Sequence, residues 1–406
     1  MFRFIHTSDW HLGQNFMNQS RESEHRLFLN WLLEQIKDND VDCLIIAGDI
    51  FDTGTPPSYA RKIYFDFLKE LNKVNNVSVV IIGGNHDSIS TLNESGTLLK
   101  LLDIHVIGGK LDPEEETFIL KNRNGEESAL ICAVPFLRDR DVRLSSEGET
   151  LKSKKDALRL GIKKHYSDNL THAKELNKSL NLPIIATGHL TTTGGELSDG
   201  VRDIYIGSLE SYDANDFPDE FDYVALGHLH SKQKFGKREH IRYCGSPIPI
   251  SFSEACQQKI VNLVEVSTQG QSPSVTELEI PCFRQLASIK GSLENIQKQI
   301  DELKHDGDLN SWMEIVLDAQ SEITSSQAMI KDHIKDLPID ILRFRRERSK
   351  SQKKALKERT VHLKEMSIEE IFQKKLDSVD HDKKLKDELL NAFREINQEL
   401  QLGNNS

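Results

Sequence analysis

The chain is poor in cysteine, has no long apolar run and carries no surplus of positive charge, and each shortage removes a class of function. Five cysteines, Cys43, Cys132, Cys244, Cys256 and Cys282, are scattered over 406 residues without a CxxC pair. An odd, scattered set makes neither a disulfide framework nor a cysteine-type zinc site, which places the protein in a reducing compartment, the cytoplasm. No apolar stretch approaches the ~18 residues needed to cross a bilayer, so no membrane is expected. The apolar part of the N-terminal MFRFIHTSDWHLG is too short for a signal peptide and reads as a first strand. No GxxxxGK followed by Ser or Thr occurs. The GKR at 236–238 lacks both the spacing and the hydroxyl residue, so any use of ATP falls to a partner. A net charge of −12 gives no overall attraction to nucleic acid. A local one exists: Arg343, Arg345, Arg346, Arg348, Lys350, Lys353, Lys354, Lys357 and Arg359 are opposed only by Glu347 and Glu358. That run is either a DNA path or a solvated linker.

What is present begins as alternating strand and helix patterns. Strands are expected over 2–7, 41–47 and 77–82, and helices over 24–36, from Pro57 to Leu71 and over 98–102. The strand at 41–47 is almost continuously apolar, as in a sheet covered on both faces. The fold class is therefore α/β: a layered core with central β-sheets flanked by helices. An acidic loop is expected over 112–116, and KNRNGEE reads as the turn of a hairpin. RDRDVR at 138–143 is a salt-bridged loop or a phosphate-contacting one. A long polar helical region follows to about Leu180, then short buried strands over 183–187 and 223–226, and a terminal hairpin over 260–266 and 275–280. Near Pro281 the character shifts to a small α+β capping module. These patterns divide the chain into 1–280, a catalytic domain; 281–345, the capping domain; and 346–406, a basic linker and C-terminal helices. In the last part Ser367 and Glu370 form a capping box. Leu385, Leu389, Phe393, Ile396 and Leu400 recur as an apolar stripe on a charged helix that calls for a partner or for its own domain to cover it.

Five of the short apolar strands end in metal-ligand residues. Asp9 and His11 follow the first; Asp49 and Asp52 the second; Asn85, His86 and Asp87 the third; His189 the fourth; His228 and His230 the fifth. Sites in layered α/β proteins lie beyond the carboxyl ends of the strands. If these strands share one sheet, their ends converge on one pocket. Carboxylate, imidazole and carboxamide without cysteine suit manganese, iron or zinc in a catalytic setting. Asp49, at the end of LIIAGDIFD, reads as the carboxylate that bridges two ions. Such a pair clamps the oxygens of an in-line displacement at phosphorus.

DWH (9–11), GDIFD (48–52), GNHD (84–87), GH (188–189) and GHLH (227–230) resemble the five motifs of the calcineurin-like metallophosphoesterases. The stretches 188–210, 223–230 and YCGSPIPISF at 243–252 narrow the likeness to the bacterial nuclease subunits of DNA double-strand-break repair. The resemblance covers 1–280 strongly and the remainder in layout. It implies that Asp9, His11, Asp49 and His230 hold one ion and that Asp49, Asn85, His189 and His228 hold the other, with Mn²⁺ the working metal. It implies His86 as the general acid, oriented by Asp87. Asp52 stands where wider relatives tend to carry histidine. It either orients a neighbour or does proton chemistry with a raised pKa. The implied substrates are double-stranded DNA ends and hairpins, cut by exo- and endonuclease action. The implied partners are an SbcC-type coiled-coil ATPase, docked by the 385–400 stripe, and a second copy of the chain in a homodimer within a heterotetramer, joined through early helices such as 24–36 or 57–71. A phosphoesterase of the same fold acting on a small phosphodiester or phosphoprotein is the competing reading, and a structural subunit with a dead site the third. The long insert at 135–182 and the capping module weigh against the second, and the full ligand set against the last.

Overall fold

The computed structural model describes residues 1–74, 76–143, 151–192, 212–235, 238–304, 307–318 and 323–347, with isolated positions beyond. The chain runs β1 (Phe2–Thr7), α1 (Glu22–Asp38), β2 (Cys43–Ala47), α2 (Ser58–Leu71), β3 (Ser78–Ile82), α3 (Ile89–Asn93), α4 (Gly96–Lys100) and β4 (Ile104–Ile107). Next come α5 (Pro113–Glu116), β5 (Thr117–Lys121), β6 (Glu127–Cys132), α6 (Asp139–Val142) and α7 (Leu151–Leu176). They are followed by β7 (Ile184–His189), β8 (Tyr223–Gly227), β9 (Gln233–Phe235), β10 (Arg238–Tyr243), β11 (Ile260–Val266) and β12 (Ser274–Glu279). The last described elements are β13 (Leu286–Gly291), α8 (Leu293–Asp301), β14 (Ser311–Leu317), α9 (Ile323–His333) and β15 (Ile339–Arg346).

The ligand-bearing strands do not share one sheet. They belong to two six-stranded sheets, in the orders β12-β11-β1-β2-β3-β4 and β9-β10-β8-β7-β6-β5. Strand periodicity explains how the sheets stack. Ile5, Leu44, Ile46, Val79 and Ile81 point outward onto α1 and α2, where they meet Phe28, Leu32 and Phe67. Their neighbours Phe4, Cys43, Ile45, Val80 and Ile82 point inward and meet Ile131, Ile185, Tyr223 and Ala225 of the second sheet. On the far side, Ala186, Val224 and Leu226 pack against Leu158, Ile162 and Tyr166 of α7. The result is helix, sheet, sheet, helix. Apolar runs arise because both faces of each central strand are covered. Sequence periodicity reports that coverage but not what supplies it, so a sheet and a helix layer look the same in it.

The 260–266 strand does more than close a hairpin. As β11 it lies antiparallel to β1, pairing Phe2 with Val266. Residues 113–116, expected as an acidic loop, form the short helix α5 behind Pro113. Its Glu116 is buried, where it accepts hydrogen bonds from Asn169 (3.0 Å) and from the Leu111 amide (2.8 Å) and pairs with His165 of α7 (2.7 Å). In RDRDVR the Asp141 carboxylate accepts the Arg138 amide at 3.0 Å, and Arg143 pairs with Asp139. That favours the salt-bridged reading.

Residues 286–346 form a three-stranded parallel sheet, β13-β14-β15. Met313, Ile315 and Leu317 face Ile296, Ile300 and Ile330 of the helices. The opposite face presents Leu286 and Trp312 to Phe16. The helix α9 has no counterpart in the sequence reading of this module. Arg343, Arg345 and Arg346 lie on β15 and not in a linker, and Glu314 pairs with both Arg343 (3.4 Å) and Arg345 (3.0 Å). The expected basic positions from Arg348 to Arg359, the Ser367–Glu370 capping box and Leu385, Ile396 and Leu400 lie outside the described residues.

Small side chains at the seam, Ala47, Ala129, Ala133 and Ala225, let the sheets approach closely. Replacing fully buried Ala225 with leucine should overpack that layer and lower unfolding stability by about 1–3 kcal/mol. Chemical denaturation measures this, and an unchanged midpoint would refute the tight seam.

Candidate metal centre

Every site residue is delivered by a strand end, and the loops are laced to one another. After β1 the backbone turns so that Asp9 and His11 point to the pocket while Trp10 enters the core, edge-on to Phe28 and Phe67. Asp9 donates its amide to the Gly48 carbonyl and His11 donates to the Asp49 carbonyl, both at 3.0 Å. The loops after β1 and β2 therefore run side by side. Asp9, His11, Asp49 and His228 all adopt positive φ, at 53°, 47°, 50° and 98°. Such left-handed geometry is uncommon without glycine and gathers at functional sites.

Two glycines make room. Gly48 has φ +88°, and a Cβ there would strike the His189 ring. A Cβ on Gly84 would fall on the Asp49 carboxylate. Asp49 itself accepts the His86 amide on Oδ1 at 2.8 Å. Its Oδ2 lies 3.3 Å from His189 Nε2 and 3.7 Å from His11 Nε2. His189 reaches this oxygen from the second sheet, and its Nδ1 donates to the Ala47 carbonyl of the first at 2.9 Å. Asn85 Oδ1 sits 3.0 Å from His189 Nε2 and 3.1 Å from His228 Nδ1. The His228 amide donates to Asp9 Oδ1 at 2.9 Å.

Three overlapping groups of potential ligand atoms result, each within 4.8 Å: Asp9, His11 and His230; Asp49, His189 and His228, with Asn85 beside them; and His11, Asp49 and His86, which shares its first two members with the others. Asp49 Oδ2 lies between the groups. Nε2 of His11, Nε2 of His228 and Nδ1 of His230 are buried without hydrogen-bond partners. Buried polar atoms left this way cost free energy unless something binds them. Two carboxylates and four imidazoles, three of them with orphaned nitrogens, fit divalent cations.

Electrostatics agrees. Burial opposes charge on Asp49, yet His189, His11 and His86 hold its carboxyl far below the ordinary range. Burial also disfavours the His189 imidazolium, but Asp49 outweighs it and lifts His189 to about 9. Burial and the neighbouring His189 charge push His228 the other way, well below its ordinary value.

One residue stands differently from expectation. Asp87, expected to orient the His86 ring, turns elsewhere. Its carboxylate accepts the amides of Ile50 (3.1 Å), Phe51 (2.9 Å) and Gly84 (2.9 Å), and so ties the Asp49 loop to the Asn85 loop. The His86 ring is held by Asp52, whose backbone carbonyl accepts from Nδ1 at 2.7 Å. Asp52 also places its carboxylate 3.4 Å from His11 Nδ1, which supports the orienting reading left open for it.

Sequence reasoning missed the buried Glu254–Lys259 pair beneath His230. Lys259 Nζ donates to the His230 carbonyl (2.9 Å) and to Glu254 Oε2 (2.6 Å). Burial alone would raise the Glu254 pKa, but His230 and Lys259 bring it down to about 2. Neither residue belongs to a strand-end pattern. Only the neighbouring YCGSPIPISF stretch hinted that this region matters.

The chain belongs to the calcineurin-like phosphoesterases, whose family model matches residues 2–232. A second model, described as the type 5 capsule protein repressor C-terminal domain (SbcD_C), matches residues 282–380. The SbcD subunit of nuclease SbcCD from Escherichia coli K12 is 41% identical over 378 residues, covering 92% of each chain. Its namesake from Rhodobacter capsulatus is 35% identical over 315 residues, covering 74% of this chain and 76% of its own. Within the phosphoesterases, then, the chain is a member of the SbcD subunit family. A dimetal phosphatase from Danio rerio, 12% identical, superposes over 68% of this chain and 98% of its own with a TM-score of 0.37.

Because His189 holds a proton up to about pH 9 in the metal-free chain, metal uptake must expel it. Calorimetric titration with Mn²⁺ near neutral pH should therefore release protons into the buffer. Affinity should climb as pH rises and flatten above about 9. Proton-neutral binding would contradict the Asp49–His189 pairing.

Proposed function

We propose that the chain is a Mn²⁺-dependent DNA nuclease that hydrolyses phosphodiester bonds with two ions. It would act as an exonuclease on double-stranded ends and an endonuclease on single strands and hairpins. The observation that carries this is the gathering of seven donor residues from five strand ends around one carboxylate, Asp49. Asp9, His11, Asp49 and His230 would hold one ion, and Asp49, Asn85, His189 and His228 the other. Two such ions supply Lewis acidity at the phosphate and lower the pKa of a water.

The chain's own residues do the rest. Asp52 fixes His11 through its carboxylate and His86 through its carbonyl. With Nδ1 engaged by that carbonyl, Nε2 is the His86 nitrogen that exchanges a proton with the leaving oxygen. Asp87 keeps His86 and Asp49 in register by holding the backbone on either side of them.

A polymeric substrate is supported by a cleft of about 540 Å³ between the catalytic and capping parts, lined by Lys290, Arg343 and Arg345 and by Phe252 and Met17. Its wall at 14–17 continues the loop that carries Asp9 and His11. Basic residues follow a phosphate backbone, and half-buried Phe252, packed edge-on to Phe16, adds apolar surface beside them. A small phosphodiester needs neither.

Domains at 1–280, 281–345 and 346–406 would serve as nuclease, cap and partner-binding segment. Relatives carry the name of a two-component nuclease, SbcCD, and this sequence has no phosphate-binding loop of its own, so an SbcC-type coiled-coil ATPase would supply nucleotide hydrolysis in the cytoplasm. The homodimer of a heterotetramer would form through α4 and the turn that follows it. The stripes on α1 and α2 are spent in the core, whereas Leu98, Leu101 and Leu102 are 64%, 80% and 42% exposed.

Two measurements test this. An end-labelled duplex should be cut with Mn²⁺ and spared with chelator. His86→Gln should lower kcat by about 10²–10⁴-fold while metal content stays near that of the unaltered chain. Normal cutting by that variant would remove His86 from its role. Separately, Leu101→Glu should convert dimer to monomer in light scattering. A dimer that persists would clear α4 of the contact.

A further inference from the structure

The metal centre is braced from one side. Arg21 is fully buried, its Nε donating to Glu24 Oε1 at 3.0 Å and its Nη1 to the Pro249 carbonyl. Glu24 is itself buried, and Arg284 lies 3.0 Å from its other oxygen. Arg284 belongs to the junction between the two parts, between β12 and β13. Its guanidinium sits 4.1 Å from the centre of the Trp312 ring. Trp312, on β14 of the cap, stacks on Phe16 at 5.7 Å and 12°, with Arg21 at 5.7 Å. One buried carboxylate thus holds a cation from the catalytic part and a cation from the junction, and both cations flank the tryptophan that docks the cap.

This bracing leads to particular ligands. The Gln14 amide donates to the His11 carbonyl at 3.0 Å, and Arg21 Nη1 reaches the Gln14 side chain at 3.4 Å. On the other side, Arg21 grips Pro249. That turn returns through Ser246, whose hydroxyl donates to the Ile248 carbonyl and whose amide donates to the His230 carbonyl at 3.1 Å. Asn85, His189 and His228 are held otherwise, by Asp49, Ala47, Asp9 and one another. Among the described residues no hydrogen bond or ion pair joins them to Arg21, Glu24 or Arg284.

We propose that docking of the cap through Trp312 and Arg284 sets the geometry of the ion site formed by Asp9, His11 and His230, and not that of the site formed by Asn85, His189 and His228. Arg21, Arg284 and Trp312 are then positioning residues for one ion of the pair. The inference rests on the two-ion reading above. A polyanion entering the cleft beside Phe16 and levering the cap would change the hold on that ion without touching it.

The test is calorimetric titration of the full chain with Mn²⁺. His189→Ala leaves the His11 site to be read alone, and His11→Ala leaves the His189 site. Trp312→Ala should weaken Mn²⁺ binding about 10–100-fold in the first background, the scale expected when support around a ligand is lost. It should leave binding within about twofold in the second. Arg284→Gln should act in the same direction and keeps the test open if Trp312→Ala does not fold. Trp312→Phe, which retains the stack, should restore most of the affinity. Equal weakening in both backgrounds, or none in the first, overturns the coupling. An unaltered chain that takes up fewer than two ions would instead overturn the metal reading on which it stands.

Discussion

A single buried carboxylate group, Asp49, sets the terms for the catalytic domain. It is 1% exposed and sits where the carboxyl ends of two sheets meet. A lone buried charge is costly, and it is offset here by an amide on one oxygen and by imidazoles from both sheets on the other. Those contacts draw the sheets together at one end only. The left-handed turns at Asp9, His11 and Asp49, and the glycines at 48 and 84, follow from crowding so many loops onto one oxygen pair. Strain in each turn is held by hydrogen bonds to the next, so no loop keeps its shape alone.

The same logic extends outward through charges that a sequence does not announce. Glu254 and Lys259 carry the His230 backbone from below, and Arg21, Glu24 and Arg284 carry it and His11 from the side. Buried ion pairs are poor sources of net stability but severe to break, since removing one partner strands the other. Their value here is positional. They hold a loop to one place where apolar packing alone tolerates several.

How much can be read in advance divides along physical lines. The five strand ends and their ligands are legible because buried strands are short apolar runs, and the residues just beyond them are few and chemically distinctive. LIIAGDIFD and YVALGHLH show this directly. The pairing of those strands into two sheets is not legible, since Ile45 and Ile46 are equally apolar whether a sheet or a helix covers them. Asp87 misleads because adjacency in sequence to His86 suggests adjacency of side chains, whereas its carboxylate turns back to three amides. Arg343 and Arg345 fall inside the expected cap yet also open a run left as DNA path or linker, because charge hides the alternation of an edge strand whose other face packs. Asp52 can be separated from Asp49 by sequence but not explained. Its carboxylate beside His11 fits the orienting reading, but its hold on His86 comes from a carbonyl, which no side-chain pattern reports.

The order of strands has a bearing on how such an enzyme is made. The first strand, which leads to Asp9 and His11, has β11 as one of its two neighbours, so the first sheet stays open along β1 until Val266 has emerged from the ribosome. The site likewise waits for residues 228 and 230, because His228 closes onto Asp9 across 219 residues of chain. Contacts this distant in sequence form late. A nascent or truncated chain ending short of His228 therefore carries five of the seven donor residues and lacks the two that complete the ion sites. Topology thus defers the centre of a protein that cuts nucleic acid until more than half of its chain has been made.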